Sequence, residues 1–402
     1  MNVLLINGSP KGKNSNSLKL AYSFIEGLKS EYANNGKEIS IEELHVASMN
    51  IDACKGCFTC WKKTPGICCI KDDMQTVIGK QLEADIILWS FPLYYFNVPG
   101  ILKNLIDRQL PMSLPFMSSR EDGYGRGSHD SRYDMEGKRH VLISTCGFYS
   151  SEGNYDSVLR MFDHFLGKGN YETVFCGQGE LFRVKELSAR TEEYLDAVKA
   201  AGAEYAETGM ISAETDAVLR TLLYPRDVFE KMADASWGIH RTTGEKEPED
   251  LVFTRQMAAL YNKSAYDGKE RVLEMHFTDL NHIYQIRLGK EGSEVVADGS
   301  LTSTTRIDTP FAVWLAISRG EIGGAEALGK QMYTVSGDFS LMIDWDKFFG
   351  STAAVDKTET TSSDTTEQKK PTMAAMLIPW IIFWIAVSIN PVPGAVIALT
   401  VA

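Results

Sequence analysis

Between residues 1 and 210 of this 402-residue chain, short apolar runs alternate with helix-like stretches, and no other feature restricts the fold so tightly. The runs lie at 3–6, 39–44, 85–89, 140–144 and 172–175, and the helical patterns at 18–32, 101–106, 155–165 and 189–207. Strand–helix alternation of this kind predicts an α/β fold: a doubly wound, five-stranded parallel sheet with helices on both sides.

At 402 residues the chain exceeds the size at which one hydrophobic core stops growing, so further domains are expected. Residues 211–264 read as a charged helical connector. From 265 to 350 the period changes: Leu273, Met275 and Phe277 alternate with polar residues, as do Tyr284, Ile286 and Leu288, and a turn falls at Asp298 and Gly299. A helix is expected to open with Thr309 as its cap and Pro310 at its first position. Phe339, Leu341, Ile343 and Trp345 alternate once more and read as a strand, giving a small α+β domain.

Residues 351–372 are rich in Ser and Thr and too poor in apolar side chains to pack, which predicts a flexible linker. Residues 373–402 contain no Asp, Glu, Lys or Arg; the run at 374–389 is interrupted only by Pro379 and Ser388. It is slightly shorter than the ~20 residues that span hydrocarbon. A membrane segment and a hydrophobic tail docked on the protein compete here, and the preceding linker favours the membrane. Lys369 and Lys370 would then hold that side at the cytoplasmic face.

The net charge of −12 offers no basic surplus to displace counterions from phosphate, which argues against a dedicated nucleic-acid binder. The chain opens directly on a strand-like run without a secretory signal pattern, so a cytoplasmic location is expected. Of its seven cysteines, Cys54, Cys57, Cys60, Cys68 and Cys69 crowd into a short stretch; in a reducing compartment this points to metal or redox chemistry.

The first strand ends in Gly8 and gives way to a polar loop before a helix near Asn16 and Ser17. Unpaired N–H groups and the positive end of a helix dipole meet there, which makes an anion site. The hydroxyls of Ser9, Ser15 and Ser17, the amides of Asn14 and Asn16 and the charge of Lys11 can donate to a phosphate. Neither the triphosphatase pattern G-x-x-x-x-G-K-S/T nor the dinucleotide pattern G-x-G-x-x-G is present. After the third strand, Pro92, Leu93, Tyr94, Tyr95, Phe96 and Asn97 gather where the carboxyl ends of strands form a ligand crevice. Flat rings suit a planar heterocycle, and backbone N–H groups at 93–95 can bond its edge. Thr145, Cys146 and Gly147, after the fourth strand, supply a third lip. One phosphate and one large ring together describe FMN.

GSPKGKNSNS, SFPLYYFNVPGILKNLIDR and the intervening CKGCFTCWKKTPGICCIKDDM resemble the NADPH-dependent FMN reductase and iron-sulfur flavoprotein family over residues 1–210. The resemblance implies a flavodoxin-like fold, noncovalent FMN, NAD(P)H as electron donor, a small-molecule electron acceptor and a homo-oligomer. It places phosphate contacts on Ser9, Lys11, Asn16 and Ser17, and ring contacts on Pro92, Leu93, Tyr94 and Tyr95. Cys54, Cys57, Cys60 and Cys68 have the spacing with which its iron-sulfur members hold a 4Fe-4S cluster. Thiolates suit that chemistry; a zinc site, or a loop with no metal, remains open. The stretch from 276 to 345 resembles a sterol-carrier-type lipid-binding domain, which implies an apolar tunnel for a lipid ligand. The resulting expectation is an FMN-dependent NAD(P)H oxidoreductase, with a quinone or unsaturated lipid as acceptor. An electron-transfer carrier without its own substrate, or a membrane-tethered lipid binder with a vestigial flavin domain, are the alternatives.

Overall fold

The computed structural model describes residues 1–119 and 127–350. The linker expected at 351–372 and the membrane segment expected at 373–402 lie outside the described residues. Among the described residues, no helix is long and apolar enough to cross a membrane.

The chain divides into two compact units: Met1–Val184 with Ser188–Leu223, and Lys185–Leu187 with the chain from Tyr224 onward. In the first unit β1 (Asn2–Asn7) leads to α1 (Asn16–Asn34) and β2 (Ser40–His45), then to the short α2 (Thr59–Lys62) and α3 (Met74–Glu83). β3 (Ile86–Pro92) is followed by α4 (Gly100–Asp107), by an antiparallel pair β4 (Ser113–Ser118) and β5 (Ser128–Ser131), and by β6 (Arg139–Thr145). α5 (Asp156–Leu166), β7 (Glu172–Cys176), α6 (Ser188–Thr208) and α7 (Ala213–Leu219) complete it.

The main sheet has the order β2-β1-β3-β6-β7, with every neighbouring pair parallel. All five expected strands are present, in the doubly wound order. Leu4, Ile6, Ile87, Trp89, Phe91 and Leu142 bury one face beneath α3, α4 and α5, which contribute Val77, Leu105 and Phe162 to the same cluster. α1 packs against β3 and β6 from the other side and runs along α6. Gly27 and Gly202 make that contact feasible, because a Cβ on Gly27 would lie 1.9 Å from the carbonyl of Lys199 and one on Gly202 2.1 Å from that of Phe24.

The unit extends to Leu223, beyond the boundary expected at residue 210, because Tyr194 on α6 donates to the carbonyl of Leu219 at 2.8 Å and fastens α7. The helical stretch 211–264 is therefore no independent connector. Its later helices, α8 (Arg226–Ser236) and α9 (Glu249–Ala259), belong to the second unit, where Met257 and Ala258 enter the core.

In that second unit β8 (Arg271–Phe277), β9 (His282–Gly289) and β10 (Gly292–Val296) form an antiparallel meander. β11 (Thr305–Thr309) lies parallel to β8, α10 (Phe311–Ser318) and α11 (Gly324–Gly329) follow, and β12 (Thr334–Gly337) pairs antiparallel with β11. α10 is capped by Pro310, not Thr309: the Pro310 backbone is extended, and Thr309 still belongs to β11. The strand expected over 339–345 is instead α12 (Ser340–Ile343) followed by α13 (Trp345–Phe349). Leu341, Met342, Phe348 and Phe349 are the buried positions, a helical spacing that seven alternating residues concealed.

Candidate functional site

The β1–α1 loop is built by Asn7, a residue that sequence reasoning missed. Its Oδ1 accepts from the Ser9 N–H at 3.1 Å and its Nδ2 donates to the Gly12 carbonyl at 2.9 Å, folding the loop back on the strand end. Gly12 accepts the resulting left-handed backbone, with φ +54°. Ser9, Ser15, Asn16 and Ser17 are buried at the helix start, whereas Lys11 and Asn14 are exposed. Ser15 occupies the cap position of α1 without capping it; its hydroxyl meets that of Ser17 at 2.8 Å, so the first-turn N–H groups receive no acceptor from that side chain. A 19-residue helix with an uncapped, hydroxyl-lined N-terminus is a fitting receptor for phosphate. Lys11 adds charge from the rim, 3.5 Å from Glu180 across solvent.

Asn16 differs from its expected part. Its Nδ2 donates to the Gly179 carbonyl at 2.7 Å, and its Oδ1 is buried with no donor. An orphaned carbonyl oxygen is wrong for a phosphate and right for a hydroxyl, such as those of the ribityl chain that joins an FMN phosphate to its ring.

The second lip follows β3. Tyr94 and Asn97 exchange backbone hydrogen bonds at 2.8 and 3.0 Å, closing a tight turn in which Tyr95 has φ +49° and Phe96 φ +62°. Such a turn ordinarily carries Asn-Gly. Two aromatic residues in the left-handed region cost on the order of 1–2 kcal/mol each, and the Ser157 hydroxyl, donating to the Phe96 carbonyl, helps to hold them. The result displays Tyr95 at 99 % exposure. Of the backbone N–H groups expected to bond a ring edge, Leu93 donates to Thr145 and Tyr94 to Asn97, leaving Tyr95 as the one of the three without a partner among the described residues. Asn97 turns its Oδ1 onto the Val98 N–H at 2.8 Å, so its side chain shapes the turn. Leu93 is buried and Pro92 half-buried.

The lips are stitched together. Gly8 N–H donates to Ser90 at 2.8 Å, joining the first loop to β3, and Leu93 N–H donates to Thr145 at 2.9 Å, joining the second to β6. Phe148, also unanticipated, stacks on Phe96 with centroids 5.5 Å apart and rings within 13° of parallel. In the third lip Gly147 is exposed and open, but Thr145 and Cys146 are buried. The Cys146 thiol donates to the Ser150 carbonyl at 3.6 Å, and burial pushes its pKa up, so it is a core thiol. Only the backbone of 145–146 lies at the lip.

Cys54, Cys57, Cys60, Cys68 and Cys69 line one small recess together with Arg108. Among the described residues, no three His, Cys, Asp or Glu side chains converge on a point that would hold a single metal ion. The five thiols line the recess, and thiolates are ligands that zinc and iron-sulfur clusters both take. Cys57 and Cys69 approach to 3.6 Å, and the Thr59 hydroxyl and backbone, then Cys69, lower the Cys57 pKa to about 7, toward the thiolate a metal requires.

Arg108 went unnoticed although its stretch NLIDR was part of the motif. It is 1 % exposed, with Nη1 and Nη2 on Asp72 at 2.7 and 2.9 Å and Nη1 also on the Asp52 carbonyl at 2.8 Å. Burial raises the Asp72 pKa, but Arg108 and the N–H groups of Asp52 and Met74 more than offset this and hold the carboxyl below its ordinary value. The Arg108 Nε is buried with no acceptor.

Residues 1–209 match a family model described as a flavodoxin-like fold. An iron-sulfur flavoprotein of Archaeoglobus fulgidus is 42 % identical over 108 residues, covering 27 % of this chain and 48 % of the relative. An FMN-dependent NADH:quinone oxidoreductase of Pseudomonas fluorescens is 27 % identical over 152 residues, covering 38 % and 69 %. The chain spans about half the length of the two iron-sulfur flavoproteins of Archaeoglobus fulgidus that it matches, 48 % and 46 %. Among solved structures, an azoreductase from Bacillus anthracis aligns with a TM-score of 0.37 at 19 % identity, covering 51 % of this chain and 98 % of the other.

Proposed function

The chain belongs to the flavodoxin-like fold family, and from that premise we propose that it is an FMN-dependent NAD(P)H oxidoreductase that reduces a small quinone-type acceptor. The observation that carries this reading is the joined pair of turns: an uncapped helix N-terminus after β1 and a strained aromatic turn after β3, at the carboxyl ends of adjacent strands. When bound, FMN supplies the two-electron chemistry, accepting hydride from a nicotinamide and returning it to an acceptor. The protein supplies position. Backbone N–H groups of α1 with Ser9, Ser15 and Ser17 hold the phosphate, Asn16 Oδ1 accepts from a ribityl hydroxyl, and the Tyr95 N–H bonds the ring edge. Tyr94, Tyr95, Phe96 and Phe148 wall the ring against water. Relatives named FMN-dependent NADH:quinone oxidoreductase support the assignment of donor and acceptor class.

Iron-sulfur flavoprotein relatives and the thiol-ringed recess support a 4Fe-4S cluster held by Cys54, Cys57, Cys60 and Cys68, which would carry electrons singly from the site. In the second unit, the meander β8–β10 followed by α10 supports a lipid-binding role; the uncharged 373–402 stretch supports attachment at the cytoplasmic face of a membrane, and a homo-oligomer completes the proposal. The test is an anaerobic absorption spectrum before and after NADPH. Prompt bleaching of flavin bands is expected; a bound flavin that NADPH leaves oxidised would make the protein a carrier, and colourless protein that extracts lipid would make it a binder.

A further inference from the structure

The buried guanidinium of Arg108 has two of its three nitrogens fixed and the third left over. Asp72 takes both terminal nitrogens in a fork, at 2.7 and 2.9 Å, and the Asp52 carbonyl takes a second bond from Nη1 at 2.8 Å. This pair holds the plane of the group rigid and largely neutralises its charge. The Nε–H then remains, 99 % shielded from water by the burial of its residue and without an acceptor, in a side chain that lines the five-cysteine recess. A buried N–H with no close acceptor costs on the order of 1–3 kcal/mol; besides Asp72, the recess side chain that the guanidinium interacts with is Cys68.

We propose that Arg108 is a positioning residue for an iron-sulfur cluster, its Nε–H donating to a sulfur of the cluster or of the neighbouring Cys68 thiolate. This inference rests on the cluster reading given above. A cluster with four thiolate ligands carries net negative charge on its sulfurs, and a hydrogen bond to sulfur stabilises the reduced state more than the oxidised one, raising the potential. The residue also ends α4, its N–H donating to the Asn104 carbonyl at 3.1 Å. That eight-residue helix, about 12 Å long, starts at Gly100, just past the aromatic turn. One rigid element thus joins the flavin lip to the cysteine recess.

The experiment uses the full chain, reconstituted anaerobically with ferrous iron and sulfide, in wild type, Arg108→Lys and the pair Arg108→Gln with Asp72→Asn. Lysine keeps a cation beside Asp72 but has no Nε–H in that plane; the double variant removes both charges, so that whichever folds can be read. The expected result is a loaded cluster whose one-electron reduction equilibrium falls about tenfold, a midpoint lower by ~59 mV. Loss of an exchangeable-proton coupling from the spin-resonance spectrum of the reduced cluster is expected alongside. Variants that load the cluster with wild-type potential and proton coupling would overturn the role of Arg108 while leaving the cluster intact. Wild-type protein that takes up no iron would overturn the cluster reading itself.

Discussion

Tyr95 condenses the conflict between stability and use into one residue. Its positive φ serves no packing purpose, since the ring stands in solvent at 99 % exposure. Tyr95→Gly should therefore raise stability by up to ~1 kcal/mol in a denaturant titration, the relief of left-handed strain exceeding the extra freedom of glycine in the unfolded chain. The same change should weaken FMN binding about 3- to 10-fold, the worth of one aromatic contact. His140 is the titratable counterpart. Burial, aided by Lys138, pushes its pKa down to about 4, and its Nδ1 accepts from the Trp89 indole at 3.2 Å, which requires the neutral ring. Unfolded, the imidazole protonates near 6.5. The folded state thus binds fewer protons between those values, and the contribution present above pH 6.5 is lost as pH falls to about 4, ~3 kcal/mol in all. His140→Asn, which keeps an acceptor for Trp89, should flatten stability across that window; an unchanged slope would assign the acid sensitivity elsewhere. Tyr95 was legible as a candidate ring contact but its left-handed backbone was not, and a lone histidine in a strand has no signature.

Among the elements, the α1–α6 contact is the least tolerant of change. Gly27→Ala would set a methyl 1.9 Å from a backbone carbonyl, which no rotamer can relieve, and should lower stability by roughly 3 kcal/mol or more in thermal unfolding. α1, α4, α5, α6 and all five parallel strands were legible because apolar runs and 3.6-residue periodicity are properties of local sequence. α3 was not, since MQTVIGKQLE follows directly on the cysteine stretch and its apolar residues are sparse. The 339–345 stretch was misread because seven residues fit both periods, and burial of Phe348 and Phe349 beyond it decides between them. In the site, hydroxyls, amides and aromatics were legible as residue types at strand ends. The direction in which Asn16 bonds, and the pairing of Arg108 with Asp72, were not: each depends on a partner distant in the chain, Gly179 in one case and a carboxylate 36 residues away in the other.

For the whole molecule, the first unit gathers its chemistry at the carboxyl ends of β1, β3 and β6, where the central strands of a doubly wound sheet leave a crevice. The flavin-dependent part of the proposed function rests on one claim: the helix N-terminus after β1 receives the phosphate of a flavin. Titration of flavin-free protein with FMN and with riboflavin, followed by flavin fluorescence, tests it most directly, because the two ligands differ only in that phosphate. Several charge-assisted hydrogen bonds at ~1.5–3 kcal/mol each should make FMN more than about 100-fold the tighter ligand. Equal affinity for the two, or no binding of either, would contradict it.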